Sequence, residues 1–208
     1  MHPARAIIFK LMSVTLFVTM SALIKAASAH VPPGEAVFFR SFFALPVIVG
    51  WLTFRRELAT GFHSDNPLGH FWRGLVGTSA MGLMFAGLGL LPLPEVTAIG
   101  YATPVLVVVF AAMFLGEEVR LFRLGAVALG LIGVLIVLSP RLTAFSQHEL
   151  DARQTLGAIV VLAGAGCAAL AQVFIRKLVQ TEQTATIVFW FSVSASVLSL
   201  LTIPFGWV

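Results

Sequence analysis

Apolar runs long enough to cross a bilayer recur along the whole chain, each fenced by charges or prolines. The fences place helical spans at residues 6–29, 33–52, 74–93, 96–116, 124–138, 156–178 and from 184 onward, about seven in all. Helices are the right element, because the alternating ten-residue strands of a membrane barrel do not occur here. The run 96–116, VTAIGYATPVLVVVFAAMFLG, holds twenty-one uncharged residues between Glu95 and the Glu117-Glu118 pair. At about 1.5 Å per residue it matches a hydrocarbon core of about 30 Å. Pro104 lies inside it; proline lacks an N–H and clashes with the carbonyl four residues back, so a kink is predicted near Gly100.

Composition narrows the class. With 59% hydrophobic residues, 11% charged residues and a mean hydropathy of +0.99, a soluble globular domain is excluded. The fold class is an all-α, polytopic membrane helix bundle. The basic excess does not point to nucleic acid, because Lys and Arg are scattered through short connections rather than massed. With the N-terminus in the cytoplasm, Arg5, Lys10, Arg55, Arg56, Arg73, Arg120, Arg123, Arg176 and Lys177 fall on the inner side. Lys25, Arg40, Arg141 and Arg153 fall on the outer side. Nine against four is the bias expected of an N-in protein of the inner membrane. The lone Cys167 permits no internal disulfide.

Arg5 and Lys10 before an apolar run, then Ala27-Ser28-Ala29, also suit a cleaved leader. An internal repeat argues against that reading. Shifting the chain by 151 residues lays the first two spans on the last two: Leu11 meets Leu162, Ile24 meets Ile175, Lys25 meets Arg176, and Ser41 meets Ser192. Five spans separate the copies, an odd number, so the second copy enters the membrane inverted. Inverted repeats of this kind mark secondary transporters. Gly74, Thr78, Gly82 and Ala86 form a small-residue ridge on the third span, and Gly164 with Ala168 a shorter one on the sixth, both read as helix packing.

The chain resembles the drug/metabolite transporter superfamily in its EamA branch, closest to permeases labelled S-adenosylmethionine-uptake-like. The resemblance rests on Glu35-Ala36-Val37-Phe38-Phe39-Arg40, Leu91-Pro92-Leu93-Pro94-Glu95, Tyr101-Ala102-Thr103-Pro104, Phe114-Leu115-Gly116-Glu117 and the stretch 125–133. It implies a ten-helix fold of two five-helix inverted repeats. Residues 6–139 would be the first repeat, 140–155 a linker, and 156–208 the start of a second, incomplete repeat. A truncated chain is the expectation, with a homodimer if 208 residues is the whole.

Candidate chemistry follows. Arg40 lies about 6 Å from the middle of its span, where a charged residue costs at least about 2.5–3.5 kcal/mol unless it finds a partner. It would grip a substrate carboxylate or phosphate in a forked pair of hydrogen bonds, pair with Glu35 or Glu95, or reach the interface. Glu95 serves either the substrate pathway or the dipole at its helix start. Tyr101 and Thr103 beside the Pro104 kink, and Gln172 with its repeat partner Ser21, complete the pathway set. Lys25 is read as snorkelling, Phe71-Trp72-Arg73 as an interfacial anchor, and His30, His63, His70 and His148 as loop residues without metal-ligand spacing.

No G-x-x-x-x-G-K-[ST] loop is present, so gradients rather than ATP would drive movement, and neither cofactor nor metal is implied. The predicted function is secondary transport of a small, amino-acid-like or amphiphilic organic ion by alternating access. The alternatives are an intramembrane enzyme, disfavoured because no histidine falls in a predicted span and Asp65 and Asp151 lie in loops, and a non-transporting membrane partner. Partners are the bilayer and a small-molecule substrate, not nucleic acid.

Overall fold

The computed structural model describes residues 3–116 and 152–207, together with Gly125, Ala128, Leu129 and Ile132. Regular structure among these is helical: α1 (Pro3–Ala27), α2 (Pro33–Arg55), the short α3 (Leu58–Phe62), α4 (Pro67–Leu90), α5 (Leu93–Gly100), α6 (Ala102–Leu115), α7 (Ala152–Leu178) and α8 (Thr184–Leu200). A 3-10 turn, Ile203–Phe205, follows. Five stretches are long and apolar enough to cross a membrane: Ile7–Ala27, Pro33–Arg55, Pro67–Leu90, Leu93–Leu115 and Arg153–Leu178; α8 is a shorter apolar helix. The predicted 124–138 span lies outside the described residues but for four of its members, and Glu117, Glu118 and most of the 140–155 linker lie outside them too.

Two boundaries differ from those predicted. The third span begins at Pro67 rather than at residue 74, because the Asn66 side chain caps it by accepting from the Gly69 N–H at 2.9 Å, and Pro67 sits at the first helical position. Hydropathy alone misses this turn, since His70 and Arg73 sit in it. The fourth span is not one bent helix but two helices broken at Tyr101, whose N–H reaches back to the Thr97 and Ala98 carbonyls at 3.2 Å. Pro104 offers no N–H to the Gly100 carbonyl, and the ladder fails there.

Contacts fix the helix directions. Gly157 of α7 lies against Leu90 and Leu91, Gly87 of α4 against Val161, and Gly164 against Leu83 and Met84, so α4 and α7 run antiparallel. Gly74 faces Ser194 and the His70 ring lies 6.4 Å from that of Trp190, so α4 and α8 run parallel. Gly34 at the start of α2 meets Thr202 just beyond α8, while Phe62 of α3 stacks 4.6 Å from Phe189 near the other end of α8. The repeat-related pair α2 and α8 is therefore antiparallel and in direct contact. The core between α2, α4, α5 and α7 is Val37, Phe85, Leu88, Leu91, Val96 and Val161.

The small-residue ridge on α4 is used in part. Gly74 and Thr78 are buried, but nothing lies within 4 Å of a Cβ placed on Gly82. Close approach is instead carried by Gly77, against Arg73 and Phe191, and by Gly87. On α7 the tight positions are Gly164, Ala165 and Ala169, with Ala168 half-buried. Lys25 does not snorkel: its Nζ donates to the Leu88 and Leu91 carbonyls at 2.6 and 2.9 Å, capping α4 with a cation where the helix dipole favours one. Most of α1 otherwise presents large apolar side chains outward, among them Phe9, Leu16 and Leu23.

Candidate functional site

Arg40 stands in the N-terminal half of α2, two turns past Pro33. Its Nη1 donates to the Met81 Sδ of α4 at 2.6 Å, a weak acceptor for a full positive charge. Arg73, read from the sequence as an interfacial anchor, does something else. Its side chain fills the notch left by Gly77 and lays the guanidinium over the Phe191 ring of α8, 4.1 Å from the centroid. Its Nε and Nη1 are buried and take no hydrogen bond among the described residues. On the same three helices, the buried hydroxyls of Ser41, Thr78 and Thr186 and the Trp190 Nε1 likewise find no partner among the described residues.

Near the C-terminal end of α1, the N-terminal end of α2 and the C-terminal end of α4 lies a cavity of about 340 Å³. Its walls are apolar, Ile24, Ala27, Val31, Ala36, Phe85 and Ala86 among them. Ala36 and Arg40 are one turn apart on α2, and Phe85 and Met81 one turn apart on α4, so each pair shares a helix face. The Arg40–Met81 contact thus lies one turn past the lining residues Ala36 and Phe85.

The other sequence candidates are placed individually. Glu95 is half-buried in the first turn of α5. Tyr101 is 52% exposed at the α5–α6 break, with Thr103 half-buried beside it and Pro104 exposed. Gln172 is exposed on α7. Ser21 turns its hydroxyl to the Phe17 carbonyl of its own helix at 2.9 Å. The residue brought to the Arg40 guanidinium is Met81 of α4.

A second polar cluster was not foreseen. Glu182, between α7 and α8, is buried and its Oε1 accepts from the Ser64 hydroxyl and the Asp65 and Asn66 N–H groups at 2.9–3.0 Å. His70 is not in a loop but buried in α4, with Nε2 3.3 Å from the same oxygen, an ion pair whenever the ring is protonated. Burial alone would raise the Glu182 carboxyl, but the Asn66 amide, the Ser64 hydroxyl and His70 outweigh it and hold it below the ordinary value of 4.5. The Asn66-Pro67 cap was readable as a helix start; its link to Glu182, more than a hundred residues away, was not.

Comparison with known proteins agrees with this architecture. A model of the EamA-like transporter family matches residues 4–139, and one of Solute carrier family 35 matches residues 96–205. The chain is 29% identical over 191 residues to the pseudopaline exporter CntI of Pseudomonas aeruginosa, covering 92% of this chain and 62% of that protein. It is 25% identical over 166 residues to the S-adenosylmethionine uptake transporter of Rickettsia bellii, covering 80% of this chain and 53% of that protein. Against Solute carrier family 35 member G1 of Mus musculus the identity is 28% over 184 residues, covering 85% and 48%. The chain thus spans about half to three-fifths of the length of these relatives. A crystal structure shares its fold with a TM-score of 0.68 at 22% identity, over 95% of this chain and 67% of the other. The chain belongs to the EamA-like transporter family, a membrane-embedded, multi-pass family within the drug/metabolite transporter superfamily.

Proposed function

We propose that this EamA-like family member carries a small amphiphilic metabolite across the inner membrane by alternating access, with its N-terminus in the cytoplasm. The observation that carries the reading is the direct antiparallel packing of α2 on α8, the helices that the 151-residue repeat relates, with the repeat-matched Ser41 and Ser192 both buried. Two inverted units meeting at midmembrane polar residues are what rocking around a central site requires. Arg40, with Glu95, Tyr101, Thr103, Gln172 and Ser21 as further pathway positions and Pro104 as the hinge, supplies the polar groups. The relatives named for export and for uptake leave direction open. Among the described residues no three His, Cys, Asp or Glu side chains are grouped to hold a metal ion.

Vesicles containing the reconstituted chain and preloaded with unlabelled S-adenosylmethionine should accumulate labelled S-adenosylmethionine by counterflow. Arg40→Lys, which keeps the charge but loses the planar fork, should cut that accumulation about tenfold while leaving the folded fraction unchanged. Undiminished counterflow in a folded Arg40→Gln variant would remove Arg40 from the pathway. Orientation is checked separately by labelling single cysteines from outside on a Cys167→Ala background. Positions in 152–155 should react and positions in 56–66 should not; the reverse would overturn the N-in assignment.

A further inference from the structure

We propose that Arg40 and Arg73 are two successive anion-binding positions on one path, entered through the 340 Å³ outer cavity, and that the molecule they take is a small carboxylate or phosphate bearing an apolar portion. The inference deepens the transport reading and rests on it only for the idea that the ligand moves on from the site.

Three features converge on it. First, the cavity is of a size that holds a small ligand, and its lining is apolar, so it accepts the uncharged part of a molecule. Second, one turn past the cavity lining stands the Arg40 guanidinium, whose Nη1 is met there by a thioether. A carboxylate or phosphate oxygen is a far stronger acceptor than sulfur and would displace Met81, freeing both Nη groups for a forked pair of bonds. Third, Arg73 presents buried Nε and Nη1 donors without a partner among the described residues. Both are donors that a carboxylate or phosphate oxygen would satisfy with a charge-assisted hydrogen bond.

The placement of Arg73 explains why a second cation is tolerated in the bilayer. Phe191 lies against one face of its guanidinium, and Gly77 leaves room for it to fold along α4. Arg40 is approached from the outer end of α2, whereas Arg73 belongs to the inner end of α4, so the pair brackets the depth at which transporters of inverted repeats hold substrate.

The test uses hexanoate as the probe, with hexanol and hexylammonium at equal concentration as uncharged and cationic controls. Thermal unfolding of the purified chain in neutral detergent should shift upward with hexanoate and not with the other two. An equal shift from hexanol, or none from hexanoate, overturns the proposal without needing any variant. Arg73→Gln and Arg40→Gln should each weaken hexanoate binding at least tenfold. Arg73→Lys should lose most of the same affinity, because the fork rather than the charge alone is used. Ala86→Leu, which narrows the cavity and leaves both arginines in place, should weaken hexanoate too. Unchanged hexanoate binding in the folded variants would sink the assignment. Repeating the titration in micelles containing phosphatidylglycerol separates a soluble anion from a lipid headgroup: hexanoate binding that vanishes there gives the site to lipid and overturns the soluble-ligand assignment. Intact hexanoate binding with no counterflow would remove the transport reading alone, and counterflow without hexanoate binding would remove this inference alone.

Discussion

Replacing Glu182 by alanine is expected to destabilise the folded chain by about 3–5 kcal/mol, the range for breaking a buried, hydrogen-bonded charge cluster by removing one partner. The loss has several parts. One carboxylate oxygen takes two backbone N–H groups and one hydroxyl, and the side chain that provides it is only 3% exposed. Alanine removes the acceptor of the Asp65 N–H and leaves the Asn66 N–H only the Ser64 hydroxyl at 3.2 Å, and a hydrogen bond to a charged group is worth about 1.5–3 kcal/mol. It also leaves His70, itself 4% exposed, without the oxygen it faces. Because the Asp65–Asn66 turn sets the cap of α4, the helix start should loosen, and limited proteolysis should cut between residues 56 and 66 more readily.

Acid provides an independent check on the same cluster. The folded-state carboxyl lies below its unfolded value, so its contribution is fully present above about pH 4.5 and fades as pH falls through the folded value. Wild-type stability should therefore drop in that acid window, and Glu182→Gln, less stable at neutral pH but without a proton to gain, should show a flatter profile there. A Glu182→Ala chain with wild-type unfolding free energy and proteolysis pattern would show that the cluster contributes nothing.

How far the sequence reached is clearest from the residues it placed well and badly. Spans were legible because a bilayer demands about twenty apolar residues, and Pro104 marked the helix break because a missing N–H is a local fact. The 151-residue repeat pairs α2 with α8 in sequence, and the two helices are in direct contact. What the sequence could not give was rotation about each helix axis. A membrane helix is apolar on its lipid face and on its packed face alike, so Gln172 and Tyr101 could be assigned a depth but not a direction, and both are exposed. Lys25, Arg73 and Glu182 were misread or passed over for the same reason. Their partners lie on other helices, at the Leu88 and Leu91 carbonyls, the Phe191 ring and the Ser64–Asn66 turn. The small-residue ridge was right in kind and partly wrong in register, since Gly77 and Gly87 rather than Gly82 meet a neighbour closely.

That correction in register yields the second large effect. Gly87→Leu is expected to destabilise the chain by more than about 3 kcal/mol, because it places side-chain atoms where the Val161 side chain already sits. Val161 is fully buried in the core with Phe85, Leu88 and Leu91, so it has no empty direction in which to yield. In water, hydrophobic collapse would offset part of such a clash. In lipid, helices associate through close packing and interhelical polar contacts, and separating α4 from α7 removes the packing term outright. The pair carries the most extensive helix contact in the described chain, so loss there should spread to the antiparallel register set by Gly157 and Gly164. Gly166→Leu, on α7 itself, is the matched control: nothing lies within 4 Å of its Cβ position, and the substitution should shift stability by less than about 1 kcal/mol. Unfolding both variants in mixed micelles decides the matter, and equal stability of the two would mean that α4 and α7 are not held by close approach at Gly87.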